Sequence, residues 1–164
     1  MSEGTALPRI AISGHRGMPS ETEQLVDQAI RKLLATTTGD ITGLSCLADG
    51  ADQIFARAVL DHGGAIEAIV PARQYRDGLP EAVHAEYDRL FSAASGVHTM
   101  DFTESDSEAH MAASAYMIRH ADELWAVWDG QPARGYGGTA DVVAHAREHR
   151  VPIRIIWPDG ARRD

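Results

Sequence analysis

At 164 residues, 44% apolar and 24% charged, the chain is long enough for one core and too ordinary in composition for wholesale disorder. Its formal charge of −9 argues against DNA as a partner, because long anionic polymers are held by many Lys and Arg contacts. A small anion needs only a few aligned N–H groups and one or two arginines, so it stays within reach of an acidic protein. No apolar run is long enough to span a membrane, MSEGTALPRI lacks the regions of a signal peptide, and the single Cys46 cannot form an intrachain disulfide. Together these favour a cytoplasmic protein with no membrane partner.

Arg9 to Ser13 reads as a first strand ending at Gly14. Ser20 with Glu23 has the spacing of a capping box, and Leu25, Val26, Ile30, Leu33 and Leu34 continue at helical spacing until Gly39. Ile41 to Cys46 is the second strand; Asp49-Gly50-Ala51-Asp52 opens a second helix that Gly63-Gly64 ends. Ala65 to Val70 is the third strand, after which Pro80 starts a helix running to about Ala94. Val97 to Phe102 is a weak fourth strand, and Ser105 with Glu108 makes a second capping box before a helix through Met111, Ala115 and Ile118. Leu124 to Trp128 is apolar throughout, as a central parallel strand should be. A helix from Thr139 to about His149 and a strand from Pro152 to Trp157 complete the pattern, and the basic end Ala161-Arg162-Arg163-Asp164 reads as a frayed tail.

This alternation predicts an α/β fold: a three-layer Rossmann-like domain, core about 9–157, with a mostly parallel sheet of about six strands flanked by helices. Ligands of such sheets bind beyond the C-terminal strand ends near a topological switch point.

Three strand-to-helix loops fall there. Gly14-His15-Arg16-Gly17 lets backbone approach a ligand and offers a guanidinium fork; it is not a GxGxxG dinucleotide fingerprint, and no cofactor is expected. In Asp49-Gly50-Ala51-Asp52 the carboxylates fit two readings, helix caps or acceptors for a ribose hydroxyl or base. The long loop from Asp129 carries Arg134 and ends in Gly137-Gly138-Thr139, which presents N–H groups and a hydroxyl at a helix N-terminus, a ready anion site.

Other motifs have plainer readings. His145-Ala146-Arg147-Glu148-His149 matches HxxEH, but no Glu follows in the last fifteen residues to complete a zinc peptidase, and a solvated helix face explains it. Cys46 and Trp125 read as packing, Trp128 as a strand-tip exception, and Glu81, Glu86 and Asp88 as a solvated face.

Taken in order, Ser13-Gly14-His15-Arg16, Gly43-Leu44-Ser45 with Ala48-Asp49-Gly50-Ala51-Asp52, and Gly137-Gly138-Thr139 heading a helix resemble the SLOG superfamily, which includes LOG phosphoribohydrolases and the core of DNA-processing protein A. The resemblance spans Arg9 to Trp157. It implies a Rossmann-like sheet, a nucleotide or nucleotide-derived ligand and a homodimer. The enzymatic branch, with Gly-Gly-x-Gly-Thr-x-x-Glu, cleaves the N-glycosidic bond of nucleoside monophosphates. Here Gly138-Thr139 match the Gly-Thr pair, but Val142 stands at the Glu position and Asp141 lies one residue early, about 100° around the helix. The resemblance therefore implies nucleotide binding or sensing, with Gly14, Arg16, Gly137, Gly138 and Thr139 cradling phosphate and Asp49, Asp52 and Asp129 at ribose or base. The alternative is a nucleoside 5'-monophosphate N-glycosidase, with Asp141 or Asp129 as the catalytic carboxylate, or glycosyl transfer.

Overall fold

The structure is a computed structural model that describes residues 8–37 and 39–164; the segment over residues 1–7, read above for a signal peptide, lies outside it. Its strands are β1 Arg9–Gly14, β2 Thr42–Ser45, β3 Ala65–Val70, β4 Gly96–Thr99, β5 Glu123–Val127 and β6 Ile153–Ile156. Its helices are α1 Ser20–Thr36, α2 Ala51–Asp61, the short α3 Tyr75–Gly78, α4 His84–Ala93, α5 Ser107–Arg119 and α6 Thr139–Glu148. The strands form one sheet in the order β4-β3-β2-β1-β5-β6, and all five pairings are parallel.

Period-two alternation sorts the strand side chains into two cores. Ile10, Ile12, Trp125 and Val127 face α1, α2 and α4, where Phe55 meets Trp125 edge to face with ring centroids 5.7 Å apart. Ala11, Leu44, Leu124 and Ala126 face the other way, against Ala113 and Met117 of α5 and Val142, Val143 and Ala146 of α6. The chain is thus three layers, helices–sheet–helices. β4 lies at one edge with Val97 about half exposed, which is why its apolar signal is weak. No helix among the described residues is long and apolar enough to cross a membrane.

Helix starts differ from the expectation in three places. Pro19 occupies the cap position of α1 in extended backbone and its carbonyl accepts from Glu23 N–H, so Ser20 is already helical and forms no capping box. Asp106, not Ser105, caps α5: its carboxylate accepts from Ala109 N–H at 2.9 Å. Ser105 turns its hydroxyl to His110 Nε2, 2.9 Å away. The helix expected from Pro80 is broken into a single 3-10 turn, Glu81–Val83, and α4, with α3 standing before them.

The sheet order fixes the topological switch point, where open α/β sheets hold their ligands. β2, β3 and β4 step away from β1 on one side, and β5 and β6 lie on the other, so the order reverses between β1 and β5. Gly14 ends β1 at that point. A Cβ there would lie 2.5 Å from Ala51 Cβ and 2.7 Å from Val127 Cβ, so only glycine lets α2 and β5 close on the end of β1.

Candidate functional site

A cleft of about 310 Å³ opens at the β1–β5 switch point. Its floor is made by the ends of β1 (Ser13, Gly14), β2 (Cys46) and β3 (Pro71). Its walls are His15 and Arg16 after β1, Asp52 in the first turn of α2, Tyr75 of α3, His110 and Met117 of α5, the Gly135–Gly138 turn and Thr139 of α6. The volume is at the lower end of the range for small-ligand sites.

Each wall is positioned by backbone. The loops after β1 and β2 touch: Ala51 N–H donates to His15 O at 3.2 Å, and Gly50, at φ +85°, has His15 O 2.5 Å from where a Cβ would sit. Gly50 and Gly17 (φ +62°) shape these turns without lining the cleft. Asp49 caps nothing; it holds Arg16 Nε at 2.9 Å and Nη2 at 2.8 Å, so the guanidinium is steadied beside the cleft. Asp52 does not cap α2 either; one carboxylate oxygen accepts from Ala48 N–H at 3.3 Å.

The Gly137 turn is closed by Asp141, whose carboxylate accepts from Gly137 N–H at 2.9 Å, and Gly138 N–H goes to Gly135 O at 3.2 Å. The N–H groups of Thr139 and Ala140 have no protein acceptor among the described residues, and they lie at the positive end of α6. The donors this loop leaves free are therefore the N–H groups of Thr139 and Ala140, with Thr139 itself lining the cleft. Asp141 and Asp129 stand outside the cleft lining. The Asp129 carboxylate accepts from Gln131 N–H at 3.0 Å and lies 3.3 Å from His15 Nε2.

His15 is 3% exposed, and Asp129 N–H donates to its Nε2 at 3.1 Å. The Asp129 carboxylate competes for the same Nε2, and the buried Nδ1 has no hydrogen-bond partner among the described residues. Burial first, then nearby Arg163, holds the His15 pKa below the usual histidine value, against the pull of Asp129. In the first turn of α2, burial raises the Asp52 carboxyl from 3.8 to about 7, with Ala48 N–H and Arg16 opposing it. Asp52 therefore exchanges its proton near neutral pH. Burial also pushes the Cys46 thiol and the Tyr75 phenol well above their usual values, and lowers His110 with help from Arg16.

Several lining residues escaped the sequence reading. Tyr75 and His110 meet edge to face at 5.7 Å, brought together from α3 and α5, and nothing in their local sequence signals it. Tyr136 is 63% exposed at the mouth, and its place inside a glycine-rich loop was the available clue. The end of the chain is not frayed. The Thr22 hydroxyl, on α1, donates to Arg162 O at 2.8 Å and accepts from Arg162 N–H at 3.0 Å, which brings Arg163 to the cleft. Arg134 lies outside the lining and pairs with Asp164 at 2.9 Å.

Fold and cleft position together define a three-layer, Rossmann-like α/β protein. Among solved structures, the chain is similar to DNA processing protein A from Streptococcus pneumoniae (TM-score 0.68, 17% identity), covering 94% of this chain and 52% of that one. It therefore spans about half the length of that protein. A molybdenum cofactor binding protein from Rippkaea orientalis aligns at TM-score 0.63 and 13% identity, over 95% of this chain and 80% of that one. DNA processing protein A from Helicobacter pylori aligns at 0.65 and 17%, over 94% and 67%. No protein-family model and no curated protein sequence matches the chain.

Proposed function

We propose that the cleft binds a nucleotide or nucleotide-derived phosphorylated ligand of mononucleotide size, and that the chain acts as a binding or sensing domain. The observation that carries this reading is the convergence, at the switch point of an acidic protein, of the free N–H groups at the start of α6 with Thr139, Arg16 and Arg163. Phosphate belongs at that helix end. The exposed Tyr136 ring offers a face for a base, and Asp52 and His110 offer hydrogen-bonding groups deeper in the cleft. Net charge −9 and a small cleft disfavour DNA as the ligand.

One observation favours a second reading, N-glycosidic hydrolysis of a nucleoside monophosphate: Asp52 lines the cleft with a pKa raised to about 7, suited to a general acid. Asp141 and Asp129 are less suited, since both carboxylates hold loop backbone.

The experiment is a thermal-shift screen with nucleoside mono-, di- and triphosphates, cyclic nucleotides and NAD, with product analysis of every hit. The molybdenum cofactor joins the panel because a structural neighbour is named for binding it. Ligand at 100 times its dissociation constant adds about 2.7 kcal/mol of stability. A mononucleotide that stabilises and is recovered intact supports binding. Free base plus sugar phosphate, lost in Asp52→Asn, supports the second reading, and no shift with any compound refutes both. A dimer in solution, which the SLOG resemblance implies, is checked by light scattering on the same samples.

A further inference from the structure

The last turn of α6 carries a second cluster, at the far end of the helix from Thr139 and so about 15 Å from the cleft by helical rise. One ligand atom each from His145, Glu148 and His149 lie within 4.8 Å of one another. The two imidazoles, one helical turn apart, stack with centroids 4.1 Å apart. They line a surface hollow of about 310 Å³ with Ile118 and Arg119 of α5.

The tautomer of His149 is fixed. Its Nδ1 lies 2.9 Å from the His145 carbonyl. A carbonyl only accepts, so Nδ1 carries the proton, and the neutral ring offers a lone pair at Nε2. A second hydrogen bond of this kind is what orients metal-ligating histidines. The carboxylate of Glu148 supplies negative charge, and the C-terminal end of the helix dipole favours a cation, while Arg119 opposes one.

We propose that His145, Glu148 and His149 form a surface site for a borderline divalent transition-metal ion, with Zn²⁺ the reference ion and the fourth position open to water. Two imidazoles and one carboxylate suit Zn²⁺ and its transition-metal neighbours, whereas Mg²⁺ and Ca²⁺ require oxygen ligands. The site is independent of the cleft and of what the cleft binds.

The test is calorimetric titration of the full, metal-free chain with Zn²⁺ at pH 7.5, repeated with Mg²⁺. Saturable binding of one Zn²⁺ per chain is expected, with no Mg²⁺ binding at the same site. His145→Ala and His149→Ala should each weaken Zn²⁺ at least tenfold, and Glu148→Gln should weaken it less. Glu148 and His149 are exposed and His145 is half-buried at the C-terminal end of α6, and far-ultraviolet circular dichroism confirms that each variant is folded. Absence of saturable Zn²⁺ binding, equal affinity in either histidine variant, or equal competition by Mg²⁺ would overturn the assignment.

Discussion

Replacing Asp52 by asparagine tests a strongly perturbed carboxyl of the cleft without depending on any ligand. Folding raises the Asp52 pKa from 3.8 to about 7, chiefly by burial. The folded state thus holds a proton that the unfolded chain releases above about pH 4. Unfolding between pH 4 and 7 frees that proton, so the carboxylate costs stability as pH rises through this window and costs a constant amount above it. Asparagine keeps the shape and the acceptor for Ala48 N–H but never ionises. About two pKa units of the shift lie between pH 5 and 8, which caps the difference at about 3 kcal/mol, and access to the cleft reduces it to about 1–2 kcal/mol. Urea unfolding of both proteins at pH 5 and pH 8 measures this, and the comparison cancels every other titrating group. The variant should gain stability relative to the parent on going from pH 5 to pH 8. A stability difference independent of pH would refute a raised Asp52 pKa and, with it, the general-acid reading.

Thr22→Val removes the hydroxyl that makes both bonds to Arg162; stability should fall by about 1–2 kcal/mol in thermal melts, and affinity for any ligand found in the screen should fall with the loss of Arg163. Gly50→Ala forces a side chain into left-handed backbone against His15 O and should cost about 3 kcal/mol by urea titration; a near-neutral effect would show that the β1 and β2 loops can separate. Asp141→Asn should leave ligand turnover, if any is found, unchanged within about twofold in a base-release assay, because the carboxylate holds Gly137 rather than facing the cleft. Complete loss of turnover would return Asp141 to the chemistry.

The sheet was legible because its signal is compositional. β3 carries the bounds read from Ala65 to Val70, and β5 is buried from Leu124 to Val127 by layers on both faces. The glycines carry a role the sequence did not assign them: Gly14, read as a place where backbone nears a ligand, lets Ala51 and Val127 close on β1, and Gly50, read as a ligand contact, makes room for His15 O. Caps were not legible, because a cap is a competition among neighbours. Ser105 has the right spacing, but Asp106 is one residue nearer and binds Ala109 N–H as a charged acceptor. The deeper half of the cleft was hidden for a different reason. Tyr75, His110 and Arg163 come from three separate elements, and only the packed sheet brings them beside Asp52. Cys46, read as packing, is packed and lines the cleft as well.

The arginines around the cleft differ in what they have to give up. Arg16 is tied to Asp49 and Arg134 to Asp164, so an anion that recruits either one must share it with a carboxylate already in place. Arg163 has no carboxylate partner among the described residues, and its charge already acts on His15 and Asp129. It is therefore the guanidinium an incoming anion neutralises at least cost. Its position depends on a bond between α1 and the chain end rather than on the β-strand loops, so this cleft-lining cation is placed by a contact that no loop motif reports.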